Sequence, residues 1–424
     1  MKRPLELDLF SETDQDHEVE KIQWNEIKTE TVLGNDLQSL HFTIPKANDR
    51  KLIDLQRAQL MLDVTFTKVG KRDELPFGPV NNILHSLFEN CVISVNDETV
   101  LDANSNYHYS SYILDLLDRT KEQKEGLMTS QLWFEDVPGK FDEVANTGFL
   151  KRAKAAESNI QLIGKLHSEL FNQDRYMLND VKLSVELVLA KDTFYMMSTN
   201  RGTGKYVTKI NDAALYIPYV QIAEREMESI QKTLQTKPAI YPIQRVYTKS
   251  IPITSLVNDA SLNISKGRLP KRIVVGFITD KAKNGTYTKN PFKFLGAEDG
   301  VFALDKLELN VDGMPYAKRA LKPNFDKNDF RKTFMNLFES LNYIEDGSNA
   351  PAISVDSFKG GNCLFAYNLN PTCCSSSGAF KREGEVTLDI SFSTAPTETL
   401  QAIVLCIFDN EITLDKNRHV SRDW

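Results

Sequence analysis

Residues with which to do chemistry are scarce in this chain. Its 424 residues include only six histidines and five cysteines. The histidines (His17, His41, His85, His108, His167 and His419) are scattered, with no two at HxH or HxxxH spacing. No strand or helix therefore presents a ready-made metal pair, and each ring reads as a packed or capping imidazole. Cys91 and Cys406 sit in strand-like runs, where a thiol acts as a small hydrophobe. The adjacent pair Cys373-Cys374 lacks a second CxxC and a nearby histidine, which argues against zinc. These four and Cys363 are expected to be reduced. There is no GxSxG elbow. Arg201-Gly202-Thr203-Gly204-Lys205 misses the phosphate-loop spacing and is followed by Tyr206, so it reads as a polar turn. Gly360-Gly361 is likewise a turn signal. No catalytic, cofactor-binding or metal-ligating residue is expected, no cofactor, and no enzymatic activity.

Positive charge and long apolar runs are missing too. Net charge is −7, which argues against coating nucleic-acid phosphate by charge alone. No stretch approaches the roughly 18 apolar residues of a membrane span. The first twenty residues, MKRPLELDLFSETDQDHEVE, lack the apolar core of a signal peptide, so the expectation is a soluble protein made in the cytosol. On that footing the sequons at Asn263 and Asn284 read as accidental.

What is present is alternation. Leu60, Leu62, Val64 and Phe66 alternate with Met61, Asp63 and Thr65. Leu183, Val185 and Leu187 repeat the pattern, as do Val386, Leu388, Ile390 and Phe392. Period two means sheets with one buried face. Ile273–Ile278 (IVVGFI) and Ile403–Phe408 are continuous apolar runs, as in fully buried strands.

One unit occurs twice. Cys91, Ile93 and Val95 precede a turn at Asn96-Asp97 and a helical stretch carrying Tyr109, Tyr112, Ile113, Leu116 and Leu117. Leu307, Leu309 and Val311 precede a turn at Asp312-Gly313 and a helix with Phe330, Phe334, Leu337 and Phe338. An offset of 216 relates the strands, and one of 221 relates the helices. Strand, turn and amphipathic helix in the same order suggest a tandem domain. The polar segment 227–237, closed by Pro238 and Pro242, marks the boundary. The expected layout is an acidic arm at 1–20, a first domain at 21–226, the linker, a second domain at 238–414 and a tail at 415–424. Many short strands with long loops favour antiparallel sandwiches. The fold class is therefore mainly all-β: a tandem double jelly-roll of two eight-stranded antiparallel sandwiches, with short helices in the loops.

Aromatic residues cluster at the two helices, with Tyr107, Tyr109 and Tyr112 at one and Phe325, Phe330, Phe334 and Phe338 at the other. Core packing is the default for such side chains, and interfaces favour the same types. Here the residues match a known family. NNILHSLFENCVISVNDETV and YHYSSYILDLLDRTKEQKEGLMTSQLWFED resemble the major capsid proteins of adintoviruses and of Maverick/Polinton elements. LPKRIVVGFITDKAKNGTYTKNPFKF and LDKLELNVDGMPY are similar to that family's second half. The resemblance is good over roughly 75–135 and 268–345 and loose elsewhere. The very long loop insertions of the adenovirus hexon are absent, so any outer towers should be short.

The resemblance implies a virion protein of the hexon-like lineage. Homotrimers with a pseudo-hexagonal outline would tile an icosahedral capsid beside neighbouring capsomers, with a separate single jelly-roll penton protein at the fivefold vertices. Each pair in the trimer should bury well over the roughly 1,600 Å² of a standard interface. No direct sequence-specific nucleic-acid binding is expected, and whether an internal membrane lies beneath the shell stays open. Tyr107, Tyr109, Tyr112, Trp133, Phe134, Phe330, Phe334 and Phe338 are the candidate assembly residues. Helices near 107–118 and 329–341 and loops 129–154 and 347–378 would carry them, with both tails reaching toward neighbours or the particle interior. Two other readings compete: a tandem β-sandwich that binds a receptor or carbohydrate, and a glycosidase, which would need facing carboxylates about 5–10 Å apart.

Overall fold

Alternation places the strands where expected. In the computed structural model, which describes residues 18–34, 37–48, 50–69, 76–199, 205–296, 302–316, 320–346, 351–370 and 382–424, Leu60, Leu62 and Val64 are fully buried, as are Val386 and Leu388. Strand outweighs helix, 45% to 21%, and the sheets are antiparallel.

The first half contributes β1 (Val19–Lys28), β2 (Ser39–Ile44), β3 (Gln59–Val69), β4 (Phe88–Val95), β5 (Glu98–Asp102), β6 (Ile160–Lys165), β7 (Leu183–Leu189) and β8 (Lys205–Ile222). The second contributes β9 (Ala239–Ile253), β10 (Asp259–Arg268), β11 (Arg272–Thr279), β12 (Ala303–Val311), β13 (Met314–Pro315), β14 (Leu364–Asn368), β15 (Glu383–Thr394) and β16 (Leu400–Leu414). The first half pairs these as β1-β8-β3-β6 and β2-β7-β4-β5, the second as β9-β16-β11-β14 and β10-β15-β12-β13. Adding eight to each label of the first half gives the second. Two facing four-stranded sheets wound in this order are a jelly roll, so the chain is a double jelly-roll. Shorter pieces at Lys51–Ile53 and Val420–Arg422 extend the sheets that contain β8 and β16.

The helices lie in the connections. α1 (Tyr107–Asp118) and α2 (Thr147–Ala155) fall between β5 and β6. α3 (Glu224–Leu234) joins the halves where the linker was expected, and α4 (Arg331–Ser340) lies between β13 and β14, the counterpart of α1. Cys91, Cys363 and Cys406 are free and buried. Cys373-Cys374, Arg201 to Gly204, residues 71–75 and residues 1–17 of the arm lie outside the described residues.

The repeat holds down to backbone angles. Asn96 and Asp97 have φ of 50° and 67°, Asp312 and Gly313 of 52° and 76°. Two consecutive positive φ values make the mirror-image hairpin turn that matches strand twist. A side chain at Gly313 would meet nothing within 4 Å, so the cost of filling it is backbone strain alone. Gly313→Val should destabilise by about 1–2 kcal/mol and Gly313→Asn by far less, since asparagine tolerates this region. Urea unfolding of the three proteins measures the difference.

Candidate assembly surface

The two sandwiches meet along two sets of contacts. The first set comes from loops. Tyr112 of α1 stacks on Phe292 of the second half, with centroids 4.2 Å apart and planes 9° apart. Trp133 stacks behind Tyr112 at 5.2 Å, and Tyr109 and Phe194 meet Phe292 edge-on at 5.8 Å. Beside the rings, Asn290 donates from Nδ2 to Asp136 Oδ2 at 2.9 Å and from its backbone N–H to Asp142 Oδ1 at 2.9 Å. Lys289 and Lys293 both reach Asp142 Oδ2, at 3.0 and 3.2 Å. Tyr287 donates to Asp192 at 2.6 Å, and the Gly139 N–H donates to the Gly360 carbonyl. Gly360-Gly361, which reads in the sequence only as a turn, is where two loops touch. A Cβ on Gly360 would strike the backbone at Pro138 and Gly139, and one on Gly361 the ring of Phe141.

The second set covers the outer edge of β9. That strand pairs with β16 on one side only. On its other side Arg175 donates to the Ile240 carbonyl at 2.6 Å, Glu169 Oε1 accepts from Val246 N–H at 2.8 Å, and Asn106 donates to the Thr248 carbonyl at 3.3 Å. The Tyr241 hydroxyl accepts from Leu178 N–H at 3.1 Å. First-half residues thus take the hydrogen-bonding places of a missing neighbour strand. The segment from 415 follows the same seam: Arg418 donates to Asn179 Oδ1 at 2.7 Å, and the Arg418 carbonyl accepts from Asn96 at 2.9 Å. That tail is therefore docked on its own chain at Arg418.

Most of the expected assembly aromatics belong to this interior. Tyr107, Tyr109, Tyr112, Trp133 and Phe330 are buried within the chain; Phe134, Phe334 and Phe338 are half-buried. The Phe330 group packs inside the second half against Phe325 and Phe358.

The open surface lies elsewhere, on β1. None of its ten residues is buried, it pairs only with β8, and Ile22 and Trp24 are 41% and 50% exposed. Among the described residues nothing bonds to its outer backbone edge. β1 is the counterpart of β9, so the strand position that is covered in the second sandwich is bare in the first. Isolated exposed apolar residues carry little signal in a sequence, which is why the alternation-poor run VEKIQWNEIK did not stand out.

No family model matches the chain. An uncharacterized protein of Caenorhabditis elegans is 22% identical over 391 residues, spanning 88% of this chain and 90% of its own length. Among solved structures, a chain of the Sputnik virophage matches at a TM-score of 0.65 and 11% identity, over 100% of this chain and 92% of its own. The PBCV-1 virus capsid follows at 0.61 and 10%, over 98% and 99%. The mavirus major capsid protein matches at 0.53 and 11%, over 100% and 95%. These likenesses are of fold, and they run through both sandwiches.

Two predictions come from the seam. Arg152 of α2 is fully buried, donates from Nε to the Pro79 carbonyl at 3.0 Å and pairs with Asp136 at 2.7 Å. Arg152→Met should cost about 3–5 kcal/mol by stranding Asp136, and adding Asp136→Leu should recover part of it; thermal unfolding of both variants measures this. His108 of α1 lies 4.2 Å from the Phe194 ring, and burial pushes its pKa down to about 3. An unfolded histidine takes up a proton near pH 6.5, so between pH 6.5 and 3 protons favour the unfolded chain. Stability should fall as pH drops through that window, with this ring contributing a slope of about 1.4 kcal/mol per pH unit. His108→Phe should flatten the profile by that amount in denaturation measured from pH 7 to 4.

Proposed function

We propose that the chain is a major capsid protein that trimerises into pseudo-hexameric capsomers tiling an icosahedral shell, with no catalytic role. The carrying observation is the duplication of one strand order in two fused sandwiches. Three such chains present six similar sides, which lets a threefold ring occupy a six-coordinated lattice point. The structures it resembles end to end include the PBCV-1 virus capsid and the mavirus major capsid protein, which supports the same reading. Within that fold, the segments quoted above favour the capsid proteins of adintoviruses and Maverick/Polinton elements. The nematode relative, matched over most of both chains, fits an element resident in an animal genome. Penton proteins, neighbouring capsomers and the virion location belong to this proposal.

The repeat also indicates how copies join. Inside one chain, the first sandwich covers the outer edge of β9. In a ring of six similar sandwiches, the second sandwich of one copy covers β1 of the next in the same way. Ile22 and Trp24 then face a partner, and the half-buried Phe334 and Phe338 lie on the second sandwich that supplies the cover. A contact of this kind is heterologous and closes after three steps.

Size-exclusion chromatography with light scattering tests both parts. The wild-type chain should elute at three times its 48.1 kDa mass at micromolar concentration. Trp24→Asp combined with Ile22→Asp should give a folded monomer, because two charges would be desolvated at the contact. A wild-type protein that stays monomeric would overturn the capsid reading. A double variant that still forms trimers would remove β1 from the interface.

A further inference from the structure

A cleft of about 890 Å³ opens along the seam, lined by Asp115, Lys165 and His167 from the first half and by Arg272 and Ile407 from the second. On its first-half wall, His167 Nε2 and Asp115 Oδ2 lie 2.9 Å apart. Behind them His85 is fully buried, its ring 4.6 Å from that of His167 and nearly perpendicular to it. One donor atom from each of these three residues lies within 4.8 Å of the others, the one such grouping found among the described residues. His85 comes from the short helix Ile83–Ser86, Asp115 from α1 and His167 from the residues after β6, so no sequence spacing could announce the trio.

The surroundings point to a ligand. His85 Nε2 is wholly buried and makes no hydrogen bond of good geometry, and the same holds for Asn82 Oδ1 and Gln131 Oε1. Asn82 itself holds Asp115 through its Nδ2, at 2.8 Å, and the Gln131 side chain makes only a weak hydrogen bond to the His85 ring. A buried polar atom left unmade costs about 1–3 kcal/mol, and several in one place call for a water or an ion. Supporting groups are already placed. The Tyr107 hydroxyl lies 2.9 Å from His85 Nδ1. If it accepts that N–H, Nε2 is the ring nitrogen left with a lone pair to offer a metal. Arg119 Nε sits 3.4 Å from the other Asp115 oxygen. Partners of this sort orient metal ligands and fix histidine tautomers.

We propose that His85, Asp115 and His167 bind one divalent transition-metal ion, zinc foremost, at the base of the seam cleft. Two imidazoles and a carboxylate are a common three-ligand zinc set with a fourth place for water or an amide oxygen. Bonds of about 2.0–2.2 Å set tetrahedral donors roughly 3.4 Å apart, so His167 Nε2 and Asp115 Oδ2, 2.9 Å apart in their direct hydrogen bond, must separate slightly to admit the ion, a movement within reach of His167, whose side chain is 10% exposed in the cleft. That exposure is also the entry path. The ion ties α1, the Ile83–Ser86 helix and the end of β6 together where the first sandwich meets the second. The site is complete within one chain, so it does not depend on the capsid reading.

The test uses the full-length protein, stripped with chelator and titrated with Zn²⁺ by equilibrium dialysis. Wild type should bind one ion per chain and unfold at a higher temperature when loaded. His167→Gln, at the cleft edge, should bind roughly 100-fold more weakly and lose the thermal shift. A control with His41→Gln and His419→Gln, both on the surface, should behave as wild type. Equal zinc affinity in wild type and His167→Gln, or loss of binding in the control instead, would overturn the site. Cobalt added to wild type gives a reading that needs no variant. Intense visible absorption from four-coordinate Co²⁺ is expected, and the weak spectrum of six-coordinate, solvent-like cobalt would also overturn it.

Discussion

A strand at the edge of a sheet has a row of N–H and C=O groups that something must satisfy. In this protein the outer edge of β9 is satisfied by Arg175, Glu169 and Asn106 of the first sandwich. That set of bonds joins the loop contacts in fixing how the two sandwiches sit. It uses side chains, so the halves abut without merging their sheets, while their buried apolar residues run on as one continuous core through the stack of Tyr112 on Phe292. Glu169 is held where burial raises its carboxyl pKa while its own and the Val246 backbone N–H groups pull it back. A displaced acid there would leave the Val246 amide without its acceptor.

The loop contacts serve a different end. Stacked rings at Tyr112 and Phe292 exclude water, and inside that dry layer the Arg152–Asp136–Asn290 chain gains strength it would lack at the surface. A buried charged chain of this kind is a poor source of net stability, because desolvation offsets most of its attraction. Its value is geometric: only one arrangement of the two loops leaves no charge unpaired. Rings supply the adhesion and ions supply the register.

The strands and the central hairpin repeat were legible in the sequence because each depends on neighbours a few residues away. Val386, Leu388 and Ile390 declare a buried face by alternation alone, and Asp312-Gly313 declares its turn by residue type. The aromatic excess was legible as well, but its destination was not. Tyr112 needs Phe292, 180 residues on, before it can be told from a surface anchor, and composition gives both fates the same letters. The reverse holds for β1, where Trp24 among Glu20, Lys21, Glu26 and Lys28 looks like a solvated strand. Only its topological match with covered β9 makes it conspicuous. His85, Asp115 and His167 escaped for the same reason, since each lies on a separate element.

The charges on β1 complete the argument about assembly. An exposed ten-residue edge strand invites indiscriminate pairing, yet this one carries both signs. Lys28 lies 2.5 Å from Asp212 and 2.8 Å from Glu26, and Arg50 bonds Glu20 at 2.9 Å. Such pairs add little stability in water, but a partner strand sliding past them would have to break them and bury what remains. Ile22 and Trp24 offer apolar area only to a surface whose own polar groups leave these pairs intact. In the proposed ring that surface lies on the second sandwich of the next copy, the counterpart of the first-sandwich surface that covers β9 within each chain. A heterologous contact repeated in this way closes into a ring of three when each step turns by a third of a circle without rising, which is the geometry the proposed trimer requires.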